Sequence, residues 1–154
     1  MKGLTLQPPW AWLVPDPKAL ETRSWRTHHR GWLAIHVSKT WKAEGRAFAE
    51  HPAVRTELAR IFGVPIKALE FADLPLGAIV AVCRIAGVVP TEQFRRPTRE
   101  CLWGDYGPGR YVWVLEAGRR LRNPVDCLGK LGLWEVPDDV VARVLVEWKN
   151  GKEQ

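Results

Sequence analysis

Between Pro17 and Trp25 the chain places Lys18, Glu21 and Arg23 within six positions, with Arg30-Gly31 a little further on. An ammonium, a carboxylate and a guanidinium this close can do two kinds of chemistry. Lysine and arginine attract anions, and the planar arginine fork holds a phosphate or carboxylate through two parallel hydrogen bonds. A lysine whose pKa falls from about 10.4 through burial becomes a general base. Glu21 opposes that second role, because a neighbouring negative charge favours the protonated ammonium. The spacing therefore favours Lys18 as a charged anchor. The purely structural account is an ion-pair cluster that braces the strand entrance.

Flat side chains stand near these charges. Trp25 and Trp103 lie beside charged, polar stretches and offer faces on which a base could stack. Most of the nine tryptophans are expected in the core. His36 and Ser38 share one face of an alternating segment and Lys39 follows them, so the three could meet a base, a sugar edge or a phosphate. A strand histidine is more often a satisfied structural group than a catalytic one. A Ser38–His36 nucleophile pair lacks an orienting acid and a strained elbow. His28-His29 has no carboxylate or thiolate nearby to complete a metal site. The stretch 104–110 does not have the pattern of a phosphate-binding glycine loop. It reads as a flexible flap from which Tyr106 could stack and Arg110 could reach phosphate.

The elements that must position these groups follow from periodicity and punctuation. Leu4 and Leu6 flank Thr5 in a short strand, and Pro8-Pro9 opens one or two helical turns over 10–14. Residues 19–25 read as a strand with Glu21 and Arg23 on one face and Leu20 and Thr22 on the other. Residues 32–38 alternate, with Leu33, Ile35 and Val37 facing one way and Trp32, Ala34, His36 and Ser38 the other. Pro52 divides residues 40–62 into two helices, the second running to Phe62 and closing at Gly63. Residues 76–85 form a buried strand, 91–94 a short helix, 95–110 a polar loop, 110–121 another strand and 133–136 a last short one. Pro137-Asp138 starts a final helix whose stripe is Val140, Val141, Val144, Leu145 and Trp148. Strands and helices do not alternate regularly, which disfavours a doubly wound sheet. The reading is α+β: a small mixed β-barrel of five to six strands with peripheral helices.

Bulk properties narrow the classes. A chain of 154 residues points to a single domain spanning 1–154. No apolar run approaches the roughly 18 residues of a membrane helix, and the first residues lack a secretory pattern. Three cysteines, Cys83, Cys101 and Cys127, fit neither a disulfide framework nor a four-thiolate zinc site, so a cytoplasmic protein without a metal or cofactor is expected. Net charge is +6, concentrated in residues 18–46 (+5) and 84–130 (+4) around a near-neutral helical region. Two such blocks suit phosphate attraction.

The ordered pieces Leu6-Gln7-Pro8-Pro9-Trp10, Lys18-x-x-Glu21-x-Arg23, Arg30-Gly31 and Ile35-His36-x-Ser38-Lys39 resemble the ASCH family (activating signal cointegrator homology). Leu74-Pro75-x-Gly77, Gly104-Asp105-Tyr106 through Trp113, and Leu131-Gly132-Leu133-Trp134 complete the resemblance, which covers nearly the whole chain. It implies a PUA-like β-barrel and association with RNA or DNA. Some small bacterial members hydrolyse acetylated cytidine, and others are assigned metal-dependent ribonuclease activity. In the cytidine-directed members the family lysine works with a threonine where this chain has Glu21.

Residues and resemblance together lead to one expectation with two rivals. The first is binding of RNA, or of a single or modified nucleotide, in a basic aromatic-lined cleft. Lys18, Arg23 and Arg30 would hold phosphate there, and Trp25 or Tyr106 would stack. DNA remains a possible partner, and no membrane partner is expected. The second is an enzyme, an amidohydrolase on acylated cytidine or a metal-dependent ribonuclease, with Lys18 and Glu21 as its polar core. The third is a protein adaptor working through its tryptophan-rich surface.

Overall fold

Alternation along each strand decides which face it buries, and here the two faces feed two separate cores. The computed structural model describes residues 1–95 and 99–151; residues 96–98 of the expected polar loop lie outside this set. Six strands make one sheet: β1 (Lys2–Leu6), β2 (Leu20–Arg23), β3 (Gly31–Val37), β4 (Ala78–Pro90), β5 (Tyr111–Asp126) and β6 (Leu133–Glu135). Their order is β2-β5-β4-β3-β1-β6, with β1 and β3 parallel and every other pair antiparallel. The helices are α1 (Trp10–Leu13), α2 (Ala43–Ala49), α3 (Pro52–Phe62) and α4 (Asp138–Asn150). The architecture is the expected α+β one, a six-stranded sheet curled into a half-barrel with open edges at β2 and β6.

In β3, Leu33, Ile35 and Val37 enter the larger core with Trp12, Leu13, Val54 and Leu58. Ala34 points the other way, into a second core with Leu121, Val125, Trp134, Val140 and Val144 beneath α4. Each fully buried large apolar side chain contributes about 1.5–3 kcal/mol relative to exposure. β5 supplies both cores: Trp113 and Leu115 to the first, Leu121 and Val125 to the second. It changes face where one extra residue bulges out opposite β4, between the pairs Arg84–Glu116 and Val82–Arg119, with Ala117 at φ +50.

α3 keeps its expected ends. His51 accepts from the Ala53 N–H, and Gly63 closes the helix in the left-handed region at φ +66. Other boundaries move. β2 is shorter than 19–25, while β4 and β5 run on to Pro90 and Asp126 because the extension of each pairs with the start of the other. Leu145 is not part of the buried stripe of α4; it is 42% exposed. Both faces of β2 are covered, since Leu20, Glu21 and Thr22 are all buried. The loop closes over this edge strand: Glu100 Oε1 accepts from the Ala19 and Leu20 N–H groups at 2.9 Å each.

Candidate functional site

β1 and β3 lie side by side with Thr5 opposite His36, while β2, separated from β3 by β5 and β4 in the sheet, reaches them only by curvature. Arg23 at the end of β2 spans the opening and donates from Nη2 to the Thr5 carbonyl at 3.3 Å. Two hollows open on either side of this arginine. The larger, about 1170 Å³, is lined by Thr5, Gln7, Arg23, Trp25, His36, Ser38, Lys39, Lys42 and the turn 126–132. The smaller, about 360 Å³, is lined by Gln7, Trp10, Glu21, Thr22, Arg23, Phe48, Trp103 and Arg110. Gln7 and Arg23 belong to both. Small-molecule pockets span about 300–1,000 Å³, so the smaller hollow is the size of a compact ligand and the larger exceeds one.

Lys18 lines neither hollow. Its side chain is 1% exposed; Nζ donates to the Leu20 carbonyl and lies 3.6 Å from Glu21 Oε1. That oxygen also accepts from the Thr22 N–H at 3.0 Å. Lys18 is therefore sealed beneath the smaller hollow rather than aimed into a cleft, because β2 folds its own carbonyl and carboxylate over the ammonium. Burial, followed by the charge of Glu21, pushes the neighbouring Cys83 thiol up to about 12. Among the described residues, three polar atoms around this cluster are buried without a hydrogen-bond partner: Gln7 Oε1, Glu21 Oε2 and Arg23 Nε. Native proteins leave few such groups, and each calls for an explanation.

His36 is equally buried, at 2% exposure, but fully partnered. Its Nε2 lies 2.7 Å from the Cys127 carbonyl, which can only accept, so Nε2 carries the proton. Nδ1 then accepts from the Thr5 hydroxyl at 3.2 Å, and Thr5 Oγ1 in turn accepts from Trp134 Nε1 at 3.3 Å. Desolvation lowers the His36 pKa, with the Cys127 bond a lesser opposing influence. His36 lines the larger hollow as a neutral ring whose two nitrogens are already bonded.

The other expected residues divide between the hollows and the frame. Trp25 lines the larger hollow, with its ring edge-on to Trp113 and the Arg23 guanidinium 5.8 Å from its centre. Ser38 and Lys39 line it as well, with Ser38 Oγ accepting from the Thr40 N–H at 3.2 Å. Arg30 lies at the opposite end of β3 from His36 and lines neither hollow; its Nη1 donates to the Thr27 and His29 carbonyls. Trp103 is packed into the larger core, 6% exposed, and shows only its margin to the smaller hollow.

The segment 104–110 is pinned rather than loose. The Asp105 N–H donates to Thr22 Oγ1 at 3.0 Å, Thr91 Oγ1 donates to the Gly107 carbonyl at 2.9 Å, and Arg110 donates to the Asp105 and Thr22 carbonyls. Gly104 fits closely, since a Cβ there would stand 3.1 Å from Thr22 Oγ1. Arg110 thus works as a brace at the edge of the smaller hollow, and Tyr106 belongs to the same pinned segment.

Sequence reasoning overlooked Gln7, Thr5, Lys42 and the turn 127–132. Gln7 and Thr5 carried a usable signal, being polar residues at the end of an apolar strand. The turn 127–132 carried none, because it meets His36 across 91 positions of chain. Among the described residues, no three His, Cys, Asp or Glu side chains are grouped to hold a metal ion. No helix is long and apolar enough to cross a membrane.

No family model matches the sequence, and no curated protein matches it. Solved structures do. The crystal structure of ASCH from Zymomonas mobilis superposes with a TM-score of 0.52 at 10% identity, covering 94% of this chain and 92% of that one. A serine-to-alanine mutant of the same Zymomonas mobilis protein also gives 0.52, at 8% identity, covering 94% of each chain. At such identities the likeness speaks for the fold. The chain has the fold of this ASCH protein, an α+β half-barrel.

Proposed function

We propose that this protein binds single-stranded RNA, with the backbone along the larger hollow and one base entering the smaller. The observation that carries the reading is the junction of two unlike surfaces at Gln7 and Arg23. On one side Arg23, Lys39, Lys42 and Lys130 face a single acid, Asp126. On the other, Trp10, Phe48 and Trp103 enclose a space of about 360 Å³ with hydrogen-bonding groups in its wall. Cations track a phosphate backbone, and aromatic walls accept the flat face of a base. Trp25 flanks the same path.

Salt titration of a fluorescent RNA tests this. If all four cations meet phosphate, affinity falls about 50-fold between about 50 and 200 mM salt, from a slope near −0.7 per contact on single strands. The pair Lys39→Ala and Lys42→Ala makes that slope shallower by about 1.4. A flat response overturns the reading. DNA of the same sequence, run in parallel, reads the preference for the sugar.

A second reading, hydrolysis of an acyl group from a modified nucleoside, is favoured by one observation. Glu21 lines the smaller hollow, its buried Oε2 has no hydrogen-bond partner among the described residues, and Lys18 lies 3.6 Å from its other oxygen. Turnover of acylated cytidines that vanishes in Glu21→Gln would support it, and turnover surviving that change would remove Glu21 from the role.

A further inference from the structure

We infer that the turn after β5 carries a wedge, Leu128 and Leu131, that parts neighbouring bases of a strand lying in the larger hollow. The inference rests on the RNA-binding reading. Leu128 is 84% exposed and Leu131 99% exposed. Scattered exposed leucines need no explanation. These two differ in where they stand and in how they are mounted.

They stand in the cationic hollow. Both line it, and Lys130 lies between them in sequence and lines it too. Lys39, Lys42 and Arg23 complete the positive surroundings. An apolar protein partner seated on the leucines would have to strip water from these charges without an acid to answer them. A nucleic acid answers the charges with phosphates and offers base faces to the leucines. Leucine belongs to the small set of side chains that insert between base steps and unstack them.

They are also mounted stiffly. The Cys127 carbonyl accepts from buried His36 at 2.7 Å, and the Cys127 N–H donates to the Gly77 carbonyl at 3.1 Å. Gly129 lies so close to the sheet that a Cβ there would stand 2.5 Å from His36 Cε1 and 2.6 Å from Thr5 Oγ1. Gly132 ends the turn at φ +67. A wedge must push against stacked bases, and a turn seated on a buried histidine resists being pushed back.

The test uses a roughly 12-nucleotide single-stranded RNA with 2-aminopurine at its centre, since stacking quenches this base and unstacking restores its fluorescence. On saturation with the wild-type protein the fluorescence rises. Leu128→Ser with Leu131→Ser abolishes the rise and weakens binding about tenfold, leaving the salt slope unchanged. Leu128→Met with Leu131→Met keeps the rise. Both side chains are exposed, so neither pair threatens folding. Binding without a rise, or an equal rise with the serine pair, overturns the wedge and leaves RNA binding standing. If the wild type binds no RNA at any salt, the functional reading falls and the wedge with it. Self-association of the wild type that the serine pair dissolves, read by sedimentation, would assign the leucines to a contact between copies and overturn the wedge.

Discussion

Two buried polar clusters lie on either side of Arg23, and they are built to opposite standards. Around His36 every group is answered: the ring donates to Cys127, accepts from Thr5, and Thr5 accepts from Trp134. Around Glu21 the answers stop short, with Glu21 Oε2, Gln7 Oε1 and Arg23 Nε left open beside a hollow. A satisfied network rigidifies; an unsatisfied one is a standing cost unless something outside the chain completes it. The contrast separates a histidine whose bonds are complete, in keeping with the structural role expected of a strand histidine, from a glutamate whose bonds are not.

Three measurements put this contrast at risk. The largest effect is expected at Lys18. Lys18→Met strands the Glu21 carboxylate in the interior and lowers unfolding free energy by about 3–5 kcal/mol in urea titration, and adding Glu21→Gln recovers much of the loss. A loss under about 1 kcal/mol would show that Glu21 does not depend on the ammonium.

His36 comes next. Its folded-state pKa lies below the ordinary 6.5, so the unfolded chain takes up a proton first as pH falls. The stability His36 contributes is complete above 6.5 and drains away as pH drops toward its folded value. His36→Gln, costing about 2 kcal/mol, should remove that portion of the pH dependence. An unchanged acid limb would mean that other groups govern it.

The smallest effects are the most discriminating. Thr5→Val breaks a satisfied bond and costs about 1–2 kcal/mol by thermal unfolding, whereas Gln7→Met deletes an unanswered carbonyl and costs nearly nothing or gains about 1 kcal/mol. RNA affinity should move the other way, falling more for Gln7→Met than for Thr5→Val. Equal stability losses at both positions would erase the distinction between the clusters.

Much of the frame was legible because it rests on local signals. Pro52 and Gly63 mark α3, and the alternation Leu33, Ile35, Val37 against Ala34 and His36 marks both faces of β3. The ordered motifs anticipated the α+β architecture of the ASCH structures. The ends of β4 and β5 were illegible because Gly87, Pro90 and the run Arg122-Asn123-Pro124 look like loop, while pairing across the ribbon and the cover of α4 keep these stretches extended. The site was less legible for a related reason. Residues 18–23 announce chemistry by type, but their environment is built by distant residues: Glu100 capping the start of β2, Asp105 tied to Thr22, Thr5 receiving Arg23. Local sequence names the actors at such a place and is silent on which of them face outward. Lys18 turns inward, and Gln7, which carries no charge to draw attention, stands between the hollows.

Arg23 has a consequence of its own. A guanidinium holds five N–H protons in one rigid plane. One of them is engaged with the Thr5 carbonyl across the seam of the half-barrel, which fixes the plane before any visitor arrives. The same side chain lines both neighbouring chambers. A phosphate settling on one side draws on donors that a base on the other side would also use, so the chambers do not fill as strangers. A ligand long enough to reach both meets a shared gatekeeper, and shortening it should alter the hold on the part that remains.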